Sequence, residues 1–545
     1  MGRERRRKHE RHAAKRQEVP LHQLVGIVER AKSALGETDY AMLKTAIDTL
    51  AVLTQEIQAK GTSIERLRKL LFGASTEKTS RVVGDEAKTG ATSSGSDAEK
   101  TKAPGHGRNG AAAYTGANKI KVPHAVLAHG DACPECQKGK IYPLSEPATL
   151  VRVVGVAPLE ATLYQCDRLR CNLCGEVFTA PAPPGVGDEK YDETAASMIG
   201  LFKYGAGLPF NRIEKLQAGF GVPLPAATQW EIVERAAKLM EPAHDELVHQ
   251  AAQAKLLHND DTSAKILELG SSPSEETTDD DARTGVFTSA IVAENDQHRI
   301  ALFFTGQKHA GENLADVLAE RAVSLASPIQ MCDALSRNLP GELKTIVANC
   351  VCHARRRFVD VVNDFPDEVR HLLETLREVY KNDARARERS LSPEERLRLH
   401  QAESGPLMDG LEKWLRAQIV ERKVEPNSGL GEAIGYTLKH WSRLTLFLRV
   451  PGAPLDNNIC ERALKKAILH RKNSLFYKTQ NGAHVGDVFM SLIHTAEINR
   501  QSPFDYLVAL QRHHEEYSAD PSEWMPWNYQ QALTRLANGS PAPPG

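Results

Sequence analysis

Two short apolar runs in this chain stop on an aspartate: KLLHNDDTSAKIL, residues 255–267, and SPIQMCDALSRNLP, residues 327–340. A run of that length that abruptly loses its apolar character reads as a buried strand, so each strand carries an acid, Asp260 or Asp333, at its C-terminal end. Between the two runs the pattern gives strands over 285–293 and 299–304 and a helix over 312–327, and after them a fifth strand over 345–350. Three strands, a helix and a strand in that order is what an RNase H-like α/β sheet requires, and it sets Asp260 and Asp333 on adjacent strand ends. At 545 residues the chain is too long for one ordinary core, so a multidomain α/β protein is expected around that sheet.

A third acid stands out for its surroundings. Residues 455–478, LDNNICERALKKAILHRKNSLFYK, read as a helix in which Glu461 is followed by Arg462, Lys465, Lys466, Arg471, Lys472 and Lys478. Asn457 or Asn458 is a candidate N-cap, and a first-turn carboxylate complements the helix dipole, so a structural role is one reading. The other is chemical, because a lone carboxylate among cations suits a place where a divalent metal meets a polyanionic substrate. Phosphodiester cleavage by two metals needs oxygen ligands that hold the ions ~4 Å apart, and three carboxylates meet that need. Asp260 is expected to bridge both ions, Asp333 to hold one and Glu461 the other. Hard oxygen ligation favours magnesium, with manganese as the alternative. Lys465 and Lys472 follow Glu461 along its helix and are expected to neutralise flanking phosphates.

The three stretches resemble the DDE-type transposases of the insertion-sequence-66 family. The family's His-x-Asp-Glu-Thr turn stands here as His258, Asn259, Asp260, Asp261 and Thr262, its second acid matches Asp333, and its Asn-Asn-x-x-Glu-Arg helix matches Asn457 to Arg462. Leu71-Phe72-Gly73, Lys203-Tyr204, the segment from His353 to Phe358 and Thr495-Ala496 look like further landmarks. Asp261 departs from a usual glutamate and Val351 from a usual tryptophan. The resemblance implies an enzyme that binds the terminal inverted repeats of a mobile element in double-stranded DNA, cuts there and joins the ends to target DNA. It also implies helper proteins from the same element. A transposase-derived regulator without turnover and a purely hydrolytic nuclease are the competing readings.

The remaining segments are read around that core. Residues 1–38 form a basic arm, with eight Arg or Lys among the first sixteen residues against two Glu, suited to phosphate contacts or simply solvated. Over 39–78, Leu43, Leu50, Ile57, Ile64 and Leu71 recur every seven residues, which predicts a coiled-coil helix for self-association or an amphipathic helix on its own domain. A flexible linker is expected over 79–118, rich in Gly, Ser, Thr and Lys. Residues 119–183 carry Cys133-Pro-Glu-Cys136 and Cys171-Asn-Leu-Cys174, four thiols suited to one structural zinc ion.

Residues 184–250 read as helices that either contact DNA or lead into the core. The core is assigned to 251–364 and 451–512, an all-helical insertion to 365–450 and a tail to 513–545. Cys350, Cys352 and His353 are too cramped as Cys-x-Cys-His for one tetrahedral ion. His353 with Arg355, Arg356 and Arg357 therefore reads as a basic surface on DNA, joined by Arg462, Lys465 and Lys472. No apolar run approaches the ~18 residues of a membrane span, and the charged N-terminus lacks a signal's apolar core, so a cytoplasmic, nucleoid-associated protein is expected.

Overall fold

The computed structural model describes residues 189–270, 285–295 and 297–539 continuously, with shorter stretches between 27 and 184. Its two compact units are residues 1–87 and 88–545. In the first, residues 40–45 are helical, and the rest of the heptad segment, like the linker, lies outside the described residues.

The second unit opens with a two-stranded antiparallel ribbon, β1 (Arg168–Arg170) and β2 (Val177–Thr179), followed by helices α1 (Glu193–Gly200), α2 (Phe210–Gly219) and α3 (Ala226–Ala252). Then come β3 (Leu256–Ser263), β4 (Phe287–Glu294), β5 (Arg299–Gly306), α4 (Ala310–Ala319), β6 (Ile329–Cys332) and β7 (Ile346–Asn349). The five strands from β3 onward form one sheet in the order β5-β4-β3-β6-β7. β3 pairs antiparallel with β4 and parallel with β6, so it is central. β4 is buried along nearly its whole length because helices cover both faces. The helix expected over 312–327 stops at Ala319. The chain turns there, and the Arg321 guanidinium donates to the carbonyls of Ala252 and Ala254 at 2.6 and 2.8 Å, closing the end of α3.

β7 leads into α5 (Val351–Val359), then α6 (Pro366–Glu388), α7 (Pro393–Leu399), α8 (Gly405–Val420) and α9 (Gly429–Lys439) before the chain returns through α10 (Asn458–Ser474), α11 (Gln480–Ile498) and α12 (Pro503–Arg512). α11 solves a specific problem. β5 is an edge strand with unpaired amides, an aggregation liability if left open. Three α11 side chains and its C-cap Asn499, one turn apart, meet alternate residues of that edge. Asp487 accepts from Thr305 N (2.6 Å), Ser491 from Phe303 N (3.0 Å), Thr495 from Ala301 N (3.0 Å) and Asn499 from Arg299 N (3.2 Å). The rise of a helical turn and of two strand residues are close enough for the match to hold over the whole edge.

The expectation of a tail over 513–545 is corrected. α13 (His514–Ala519) and α14 (Tyr529–Ala537) belong to the core, because Tyr517, Trp524, Met525 and Tyr529 are buried in it. Burying each of these large side chains contributes about 1.5–3 kcal/mol.

Candidate active site

Strand register decides which acids share a face. Asp260 pairs with Ala290 and Asp261 with Ser289, and neighbouring strand residues point to opposite sides. On the Asp261 side lies α4, whose Asn313 donates to Ser289 Oγ at 2.9 Å. Asp261 is consumed there: it accepts from His309 Nδ1 at 2.9 Å and pairs with Arg337 at 3.2 Å, its side chain only 1% exposed. On the Asp260 side lies α10, whose Cys460 donates to the Ala290 carbonyl at 3.3 Å. Asp333 follows β6 directly, and its Oδ1 accepts from the backbone of Leu335 and the amide of Asn338. Burial, with the negative charges of Asp333, Asp261 and Glu461 added to it, lifts the Asp260 carboxyl to about 7, against one bond from the Asp261 backbone. Asp333 and Glu461 thus both act on Asp260 from 73 and 201 positions further along the chain (333 − 260 and 461 − 260), but among the described residues the group whose ligand atoms all lie within 4.8 Å of one another is Cys350, His353 and Glu461, not the three acids.

Glu461 is held over β3 by both ends of α10. Asn457 is the N-cap residue, as the sequence suggests, but its side chain makes no cap bond. Its carbonyl oxygen accepts from His258 Nδ1 at 3.0 Å, and its amide donates to the Asn259 carbonyl at 3.1 Å. His258 Nε2 lies 3.3 Å from Glu294, whose carboxyl His258 and Arg299 hold down to about 2 although burial opposes them. Asn458, the other candidate cap, donates instead to Cys352 Sγ at 3.7 Å. At the far end Arg471 donates to the hydroxyls of Thr262 and Ser263 at 3.2 and 2.6 Å. Lys203 donates to Ser474 at 2.8 Å, and burial brings its pKa down to about 8. The Glu461 carboxylate itself stays open: Oε2 is 3.9 Å from Arg356, Oε1 is 3.8 Å from His353, and Oε1 has no hydrogen-bond partner although it is buried.

A sheet with this register and a helix carrying this glutamate coincide with a sequence match: the model of the transposase IS66 family covers residues 190–485. The chain belongs to that family. Among its relatives is the uncharacterized protein y4jD of Sinorhizobium fredii, 26% identical over 499 residues, a match spanning 86% of this chain and 93% of that one. The uncharacterized protein y4hP of the same organism is 25% identical over 518 residues, spanning 86% and 88%.

In this IS66 family member the three arginines of α5 do not share a face. Arg356 approaches Glu461, Arg357 stacks 3.9 Å from the centre of the Tyr436 ring on α9, and Arg355 faces the crevice between α5 and the helices α6, α8 and α9. On α10, Arg462, Lys465 and Lys472 are exposed, whereas Lys466 pairs with Glu497 at 2.9 Å. Nothing in the local sequence marks that division, since each partner comes from a distant element.

Of the four module cysteines, Cys171 and Cys174 fall in the connection between β1 and β2 and lie outside the described residues. Cys133 and Cys136 form a tight knuckle: Cys133 N donates to the Gly139 carbonyl and Gln137 N to the Cys133 carbonyl, each at 2.8 Å. Backbone amides of Lys138 and Gly139, then the Cys133 thiol, lower the Cys136 pKa, which favours the thiolate a metal takes.

Proposed function

We propose that this transposase-family protein cleaves and joins DNA strands in a divalent-metal-dependent reaction, with Asp260, Asp333 and Glu461 as its catalytic carboxylates on an RNase H-like sheet. The observation that carries the reading is placement: Asp260 on β3, Asp333 directly after the neighbouring parallel β6, and Glu461 on the helix packed against β3 and β4, with burial and the other acids' charge raising the Asp260 carboxyl, a cost that a bound cation would offset. The orphaned Glu461 oxygen is a second sign of a missing positive partner. The donor set, three carboxylates, fits a hard ion such as magnesium or manganese. Two such ions, when bound, activate the attacking oxygen and steady the leaving one.

The chain's own residues do the positioning. Asn457 and Arg471 fix α10 on β3, and Asn338 orients Asp333. Exposed Arg462, Lys465 and Lys472 extend the positive surface along α10, with Arg356 beside Glu461, where DNA phosphates would lie. Zinc held by Cys133, Cys136, Cys171 and Cys174 would fold the end-binding module without taking part in the chemistry. Self-association through residues 39–78 would hold two element ends together, and helper proteins of the same element would act with it at the nucleoid. Among the described residues no helix is long and apolar enough to cross a membrane.

The test is a labelled duplex carrying the element's terminal repeats, incubated with protein and magnesium. Nicked and strand-joined products are expected, both lost with EDTA. A protein that shifts the duplex on a gel yet yields neither product with either metal contradicts the proposal.

A further inference from the structure

Cys350 immediately precedes α5 and His353 lies in its first turn, so this Cys-x-x-His spacing brings a thiol and an imidazole to one side of the helix start. Glu461 meets them from the first turn of α10. A sulfur of Cys350, a ring nitrogen of His353 and a carboxylate oxygen of Glu461 all lie within 4.8 Å of one another. Two polar atoms at this place, Glu461 Oε1 and His353 Nδ1, are buried without a hydrogen-bond partner. The sulfur already accepts from Asn457 N at 3.3 Å, though the Cys352 bond and burial hold its thiol well above the ordinary value, so it is the metal that would draw off the proton. Donors around tetrahedral zinc stand roughly 3.5 Å apart, so small side-chain movements close the set.

We propose that Cys350, His353 and Glu461 form a second metal site, selective for zinc-like ions over magnesium, whose occupation silences the catalytic centre by withdrawing Glu461 from Asp260 and Asp333. One thiolate, one imidazole and one carboxylate make a borderline-soft donor set that magnesium does not favour. The Cys350 thiol releases its proton to solvent as the sulfur binds, and water completes the tetrahedron. The sequence hides this set, because the obvious grouping is Cys350-x-Cys352-His353. In the structure Cys352 bonds to the Cys350 sulfur and to the Tyr380 hydroxyl, 3.1 Å away, but does not join Cys350, His353 and Glu461 in the cluster. The silencing half rests on Glu461 being the third catalytic acid, whereas the binding half does not.

The experiment titrates metal-stripped full-length protein with cobalt, which reports thiolate ligation by its charge-transfer absorption. Cys350→Ser and His353→Ala should each lose the same single cobalt equivalent or weaken it by about 100-fold or more, beyond what losing an outer-shell partner costs. A Cys133→Ser/Cys136→Ser double variant should keep that equivalent, which separates it from the cysteine knuckle. Cobalt stoichiometry and absorption unchanged in both Cys350→Ser and His353→Ala overturn the site. In the second arm zinc is added to the magnesium nicking assay. Inhibition relieved by a zinc chelator, and shifted to about tenfold higher zinc in Cys350→Ser, supports silencing. Undiminished nicking by wild-type protein with the site filled overturns it. A Cys350-dependent cobalt signal in a protein that never nicks supports the site and counts against the catalytic reading instead.

Discussion

Replacing Asn457 by alanine tests how Glu461 is held. The side chain makes two buried hydrogen bonds, to His258 Nδ1 at 3.0 Å and to the Asn259 carbonyl at 3.1 Å, and Asn457 itself is fully buried. Truncation loses both bonds and strands their partners away from water. At roughly 1–3 kcal/mol for each buried group left unsatisfied, the expected loss is about 3 kcal/mol. A helix cap would cost only about 1 kcal/mol. The same bonds fix the start of α10, so Glu461 moves with it, and a displacement near 1 Å costs about 100-fold in rate. Asn458→Ala is the control, because its one side-chain contact is a long bond to Cys352. Urea unfolding followed by tryptophan fluorescence gives the stability difference, and duplex nicking with a parallel gel shift gives the rate at constant binding. The reasoning fails if Asn457→Ala loses 1 kcal/mol or less (about the cap value) and nicks normally, or if Asn458→Ala is equally damaged.

Three further outcomes follow from other parts of the structure. Burial raises the Asp487 carboxyl to about 8 from 3.8, against its bonds with Thr305, so the folded state keeps a proton that the unfolded state releases. This contribution is full below about pH 4 and is lost as pH rises toward 8, so Asp487→Asn should gain on wild type by up to about 1.4 kcal/mol per pH unit between pH 5 and 8; parallel urea midpoints across that range would contradict it. Gly311→Ala places a methyl 2.2 Å from the Leu339 carbonyl oxygen and 2.6 Å from that of Arg337, so the turn that orients Asp333 must shift. A loss of about 1–3 kcal/mol with reduced nicking is expected, and a thermal midpoint equal to wild type would refute the contact. Cys136→Ser should abolish one tightly bound zinc and specific duplex binding together, and elemental analysis finding no zinc in wild type would remove the basis for that module.

The legible parts of this protein are those written locally. Asp333 is marked by the four-residue run Ile329–Cys332, buried at every position, and β4 and β5 by their continuous apolar stretches. β3 runs on to Ser263, past the expected end at Asp260, because β4 pairs with it through Thr262 and Ser263 regardless of their polarity. Asp260 is chosen over Asp261 by the family resemblance alone, and what no local pattern announces is the pair of partners that hold Asp261, His309 and Arg337, 48 and 76 positions away (309 − 261 and 337 − 261). Asn457 does stand at the N-cap, but that its side chain serves the buried histidine on β3 and not the helix is a tertiary fact the local sequence does not carry. Thr495 stands in the sequence as a landmark without a role, and the open edge of β5 supplies one. The segment 513–545 is read as a tail, and the burial of its aromatic residues is a tertiary fact.

The central claim is that Asp260, Asp333 and Glu461 hold the catalytic metal while Asp261 holds the fold. Magnesium-dependent nicking of an element-end duplex by Asp260→Asn, Asp333→Asn, Glu461→Gln and Asp261→Asn, at a temperature where all four remain folded and shift the duplex, tests it most directly. Each amide in the first three keeps its size but loses the charge that binds metal, so cleavage and joining should vanish, whereas Asp261→Asn should be less stable yet measurably active. Full cleavage by Glu461→Gln, or a dead Asp261→Asn beside a live Asp260→Asn, would contradict the account.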